Sequence, residues 1–103
     1  MPESNLQPGK SLEADLRLIR EARGLSREDI YSRVHIRPEV LAQVEEHGFS
    51  ATPTLSSDIH RRSFVKHYAD AVEIDHDLAL EALEQSLNGN YDGLLATHYL
   101  GER

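Results

Sequence analysis

The sequence predicts an all-α domain of five helices, with helices 2 and 3 forming a helix-turn-helix and room for a short extra helix at the C-terminus. Three observations predict it. Apolar residues recur at helical spacing in successive stretches from Leu12 to Leu87. A residue type that opens helices stands before each stretch: Ser11, Ser26, Pro38, Ser56 or Ser57, and Asp75. The gap from Val34 to Pro38 leaves room for only a three- or four-residue turn, which joins two short helices as a helix-turn-helix does.

The elements follow in chain order. Residues 1–9 are polar, with two prolines and a glycine, and read as a flexible leader. Residues 10–88 carry the helical pattern and residues 89–103 form a tail. Ser11 caps helix 1, whose Leu12, Leu16 and Ile19 form a core stripe with Arg17 and Arg20 off it. Gly24 ends that helix, because glycine enters the left-handed conformation without steric cost. Ser26 caps helix 2 by accepting from the Asp29 N–H, and Leu25 can staple onto Ile30. Helix 3 runs from about Pro38 to His47, with Val40, Leu41 and Val44 inward, Gly48 as its stop and Phe49 closing the core. Residues 50–57 are loop by composition. Helix 4 covers roughly 57–72, with Val65, Ala69 and Val72 on one seam and Phe64 and Tyr68 on a second. Helix 5 covers roughly 76–87, with Leu80, Leu83 and Leu87 on one face, Leu78 and Ala82 beside it, and Asn88-Gly89 at its end. In the tail, Leu94, Leu95, Tyr99 and Leu100 either fold back on helix 5 or meet another molecule, a second copy of the chain included.

Composition narrows the function. There is no cysteine among the 103 residues, which removes disulfides, thiolate metal sites and cysteine nucleophiles. No apolar run approaches the roughly 20 residues that cross a bilayer, and no signal peptide is visible, so the expected location is the cytoplasm. The net charge of −7 is uneven: Lys10 to Tyr68 carries ten Lys/Arg against nine Asp/Glu, whereas Ala69 to Arg103 carries one Arg against eight acids. A DNA binder ordinarily shows a basic face. This chain shows only short basic clusters. No phosphate-cradling glycine loop, nucleophile elbow or paired acids appear, so an enzyme is not expected and no cofactor is implied. His60 and His67, two helical turns apart, are too far apart for one ion without a third group between them, and no metal site is expected. Asn88-x-Asn90-x-Asp92-Gly93 opens like a calcium loop, but Tyr99 stands at its twelfth position, where a bidentate Glu is needed.

Several motifs together carry a family resemblance. They are Leu18-Ile19-Arg20-Glu21-Ala22-Arg23-Gly24-Leu25-Ser26, the Ile36-Arg37-Pro38 turn, the run from Leu41 to Glu45-Glu46 with Gly48-Phe49 behind it, and Arg62-Ser63-Phe64-Val65-Lys66-His67-Tyr68-Ala69 leading to Ile74-Asp75. Over about residues 10–87 the chain resembles the cytoplasmic helix-turn-helix domain of the RodZ family of bacterial cell-shape proteins, within the wider λ-repressor-like class. It departs from the family pattern at His60, Ser63 and Glu73. The family's transmembrane helix and periplasmic part have no counterpart in the sequence, which implies a fragment or a free-standing relative. The resemblance implies a module that binds a protein partner, an MreB-like actin homologue, in part through an aromatic pair on helix 4 matched here by Phe64 and Tyr68.

Two surfaces therefore compete. On helix 4, Phe64 and Tyr68, with Arg61 and Lys66 from the basic cluster beside them, are the candidate contacts for a protein partner, unless the aromatics only close the edge of the core. On that reading Phe64→Ala abolishes binding and leaves the melt nearly unchanged. At helix 3, Arg33, His35 and Arg37 near its start and Gln43 within it are the candidate DNA contacts of a transcriptional regulator. Glu39, Glu45 and Glu46 would then face the phosphates.

Overall fold

The computed structural model describes residues 11–100. The leader expected at residues 1–9 lies outside the described residues. The described chain is six α-helices: α1 (Leu12–Ala22), α2 (Arg27–Val34), α3 (Pro38–His47), α4 (Asp58–Val72), α5 (His76–Leu87) and α6 (Leu94–Tyr99). No strand occurs among the described residues.

Local chemistry sets the helix ends. The Ser11 and Ser57 hydroxyls accept from the N–H groups of Ala14 and His60, and the Asp75 carboxylate accepts from that of Asp77. At α2 the cap is reciprocal. Ser26 Oγ accepts from the Asp29 N–H at 3.1 Å, and the Asp29 carboxylate accepts from the Ser26 N–H at 2.8 Å. Those hydrogen bonds hold the Asp29 carboxyl below its ordinary pKa. Gly24, at φ +72°, ends α1 in the left-handed conformation, and the Leu25 N–H reaches back to the Arg20 carbonyl.

One core joins all six helices. Leu12, Leu16 and Ile19 of α1, Ile30 of α2, and Leu41 and Val44 of α3 are buried as the periodicity predicts. So are Phe49 and the α4 residues Val65, Ala69 and Val72. On α5 the buried line is Ala79, Ala82 and Leu83, whereas Leu78, Leu80 and Leu87 are half-buried flanks. Small residues on that line let α5 lie close along α4.

The segment expected as loop at 50–57 contains two single 3-10 turns, Phe49–Ala51 and Pro53–Leu55. Buried Thr52 joins them, its hydroxyl donating to the Gly48 carbonyl, and Leu55 packs into the core beside α4. Turn-forming composition hid this order, because the anchoring bonds are made by backbone and by one buried hydroxyl.

The C-terminal leucines fold back. Leu95 and Ala96 are buried where α6 lies on α1 and α5. The Tyr91 hydroxyl donates to the buried Asp15 carboxylate of α1 and accepts from the Leu95 N–H. Tyr99 accepts from the Asp75 N–H and so ties α6 to the start of α5.

Candidate functional site: the outer face of α4

α4 is the longest helix, at 15 residues. Its inner side buries Phe64, Val65, Tyr68, Ala69, Ala71 and Val72. Of the two alternatives open for the aromatic pair, the side chains take the one in which they close the core. Phe64 is 5% exposed and Tyr68 is 0% exposed. Phe64 packs edge-on against Phe49, ring centroids 5.6 Å apart, with Arg61 held over the Phe49 ring by a 2.7 Å bond from its Nε to the Leu55 carbonyl. Arg61 is thus a strap between α4 and the second 3-10 turn.

Tyr68 enters a buried polar network that ties α1, α3 and α4 together. Its hydroxyl donates to Glu45 Oε2 at 2.6 Å and lies 3.1 Å from the Leu16 carbonyl. Arg20 meets Glu45 through two bonds of 2.9 Å, Nε to Oε2 and Nη2 to Oε1, and a third bond from Nη1 satisfies the Leu25 carbonyl. Arg27 adds a 3.1 Å bond to Glu45 Oε1 and another to Glu46. Burial alone would raise the Glu45 carboxyl, but Arg20, Tyr68 and Arg27 overcome it and hold the group below its ordinary pKa. Burial and the adjacent carboxylate push the Tyr68 phenol well up. Two expectations are corrected here. Arg20 does not lie off the core, and Glu45 does not face outward from helix 3, because each neutralises the other inside.

The outward side of α4 carries Ile59, Ser63, Lys66, His67 and Asp70, all exposed. With Arg62, and with His76 and Leu80 of α5, these residues line a groove of about 420 Å³. Arg62 bridges across it to Glu84 at 2.8 Å, and His76 Nε2 pairs with the Asp70 carboxylate. Lys66 has no ion-pair partner among the described residues. Leu80, expected on the core face of helix 5, is half-buried at the groove instead, and Ile59 was not singled out from the sequence. Ile59 sits outside the apolar arc of its own helix, and that was the available signal.

At the helix-turn-helix, two of the four candidate DNA contacts are engaged within the chain. Arg33 Nη1 donates to the Ala71 carbonyl at 2.6 Å, and Gln43 Nε2 donates to the Ala51 carbonyl at 3.0 Å. His35 caps α2 in the left-handed conformation, its ring edge-on to the exposed Tyr31 ring. Arg37 is exposed at the N-terminus of α3, and Glu39 and Glu46 are exposed on the same helix.

Among the described residues no three or more His, Asp or Glu side chains are grouped to hold a metal ion, and no helix is long and apolar enough to cross a membrane. Asn88 serves as the C-cap of α5 and Gly93, at φ +93°, leads into α6.

The cytoskeleton protein RodZ of Streptococcus pneumoniae is 32% identical to this chain over 83 residues, which are 81% of this chain and 29% of that protein. The chain thus spans well under half the length of that relative. No solved structure matches it. Residues 15–79, from the buried Asp15 of α1 to the buried Ala79 of α5, match the helix-turn-helix domain family, and with more than half of its length so matched the chain belongs to that family.

Proposed function

We propose that this chain is a non-enzymatic interaction module that docks on an actin-like cytoskeletal filament, built from an MreB-like actin homologue, through the outer face of α4. The observation that carries the reading is the division of labour on that helix. Phe64 and Tyr68 lock its inner side into the core, while Ile59, Arg62 and Lys66 stand outward on a rigid rail. Likeness to a cytoskeleton protein supports the choice of partner. On this reading Lys66 touches the partner. Phe64, Tyr68 and Arg61 act from beneath, by fixing where the rail points.

The competing DNA reading is weaker on electrostatic grounds. Arg33 and Gln43 would have to break internal hydrogen bonds to reach bases, and Glu39 and Glu46 flank the approach.

Co-sedimentation with filaments of an MreB-like actin homologue tests the proposal. Wild type is expected in the pellet, and Arg62→Glu with Lys66→Glu is expected in the supernatant with its circular dichroism spectrum unchanged. A double variant that pellets as wild type does would overturn the role of α4.

A further inference from the structure

The outward side of α3 has no helix packed over it. Between it, the start of α2 and α1 lies an open groove of about 650 Å³. Pro38 and Ala42 of α3, both half-buried, give the groove an apolar strip. Glu39, Ala42 and Glu46 follow one another at steps of three and four residues, so they share one face of α3. Seven residues of helix set the two glutamates about 10 Å apart along that face. Glu28 joins them from α2.

The ion pairs of the groove are unevenly shared. Every arginine that lines it is engaged. Arg17 meets Glu21 at 2.9 Å, Arg20 meets Glu45 at 2.9 Å, and Arg27 spans Glu45 and Glu46 at 3.1 and 3.0 Å. The carboxylates are not used up in the same way. Glu28 and Glu39 are exposed and have no ion-pair or hydrogen-bond partner among the described residues. With the partners of the arginines counted, three arginines stand against five glutamates. Asp29 and Arg37, next in sequence to Glu28 and Pro38, cancel each other. No histidine lines the groove, so this excess of acid does not depend on a histidine's protonation. Glu28 and Glu39 lie in the first turns of α2 and α3, where a helix dipole of about half a positive charge offsets only part of each carboxylate.

These features select the chemistry of an occupant. A phosphate backbone would meet two bare carboxylates and no spare guanidinium. No three or more potential metal ligands are grouped among the described residues, so a metal ion is not held. A second copy of the chain brings a net charge of −7. A Lys or Arg side chain suits both parts of the groove: its aliphatic stem lies on Pro38 and Ala42, and its charged head reaches Glu28 or Glu39.

We infer that this groove receives a Lys/Arg-rich segment of another protein. The contact uses the helix that carries base readout in DNA-binding helix-turn-helix domains, turned by its carboxylates toward a basic peptide. It lies apart from the outer face of α4 and does not rest on the filament reading.

Fluorescence anisotropy of a labelled nona-arginine peptide, titrated with the full chain at low and at physiological salt, tests the inference. The variants are Glu28→Gln with Glu39→Gln, Glu28→Lys with Glu39→Lys, and Asp77→Lys with Glu81→Lys. The last pair makes the same charge change at exposed positions of α5. A thermal melt checks that each variant is folded. At low salt wild type is expected to bind, the Gln pair to bind about threefold more weakly and the Lys pair on α2 and α3 about tenfold more weakly or worse. Both losses are expected to shrink at physiological salt, because ions screen exposed charges. The α5 pair is expected to bind within about twofold of wild type. Absence of wild-type binding at low salt would overturn the inference. So would binding by the Gln pair equal to that of wild type, a result that stands even if the Lys pair does not fold. Equal losses from the two Lys pairs would reduce the contact to attraction by the overall negative charge and also overturn it. Self-association of wild type that the Gln pair abolishes would give the groove to a second copy of the chain, contrary to the inference.

Discussion

Glu45→Ala should be the most damaging single substitution in the polar interior. The Glu45 side chain is fully buried and meets three partners, Arg20, Arg27 and Tyr68, through four hydrogen bonds of 2.6–3.1 Å. Removing it leaves the Arg20 guanidinium, whose side chain is only 8% exposed, with only the half-exposed Glu21 carboxylate 3.9 Å away as a counter-ion. Breaking a buried pair in this way costs about 3–5 kcal/mol, because the remaining charge keeps its desolvation penalty and loses its compensation. A domain of this size is stabilised by about 5–15 kcal/mol in total, so the loss is a large fraction of it. At roughly 4 °C or more per kcal/mol, differential scanning calorimetry should show the melting temperature fall by about 12 °C or more. Removing both charges together, as in Arg20→Met with Glu45→Leu, should recover part of that loss. The same network predicts an acid dependence. The folded-state pKa of Glu45 is depressed, so its contribution is present above the ordinary carboxylate pKa of 4.5 and is lost as pH falls through the lower folded value. Glu45→Gln should remove that part of the acid destabilisation. A melting temperature for Glu45→Ala within about 2 °C of wild type at neutral pH would refute the reasoning, because the buried charge would then have found another partner at little cost.

Other substitutions and titrations probe separate links. Phe64→Ala should lower stability by about 3–5 kcal/mol, since the ring is buried against Phe49, and a melt that stays near wild type would return Phe64 to the surface. The Tyr68 and Tyr91 phenols are both pushed up, chiefly by burial and then by the adjacent Glu45 and Asp15 carboxylates. The stability they contribute is therefore complete below about pH 10 and declines as pH rises beyond it, and ultraviolet titration should show that Tyr91→Phe removes part of the alkaline transition. Fluorescence anisotropy with random-sequence duplex DNA at low salt should show no binding. Tight binding that weakens steeply with salt would move the helix-turn-helix back to a DNA role.

Most of the backbone is legible in the sequence because its signals are local. Ser11, Ser26, Ser57 and Asp75 each cap the helix they precede, and Gly24 ends α1 as its freedom at positive φ allows. The short C-terminal helix was also within reach, since Leu94, Leu95, Tyr99 and Leu100 are spaced to pack. The harder features depend on partners distant in sequence. Arg20 lies four residues after Leu16 and Glu45 four after Leu41, so each occupies a core position of its helix. Either charge alone reads as surface, and only the pairing across 25 residues makes both interior. The same blindness affected Phe64 and Tyr68. Helical spacing placed them at the edge of the apolar arc, and whether that edge is covered depends on Phe49, just past the end of α3, and on Leu55, which arrives from a segment with loop composition. The α4–α5 groove is a property of two helices together, and a reading that takes one helix at a time does not contain it.

An amide footprint by nuclear magnetic resonance tests the central claim most directly. The labelled chain is titrated with an MreB-like actin homologue, and the account expects broadening to concentrate on residues 58–72 and on the facing turn of α5 around Leu80. Broadening confined to residues 38–47 of α3, with α4 unaffected, would contradict it.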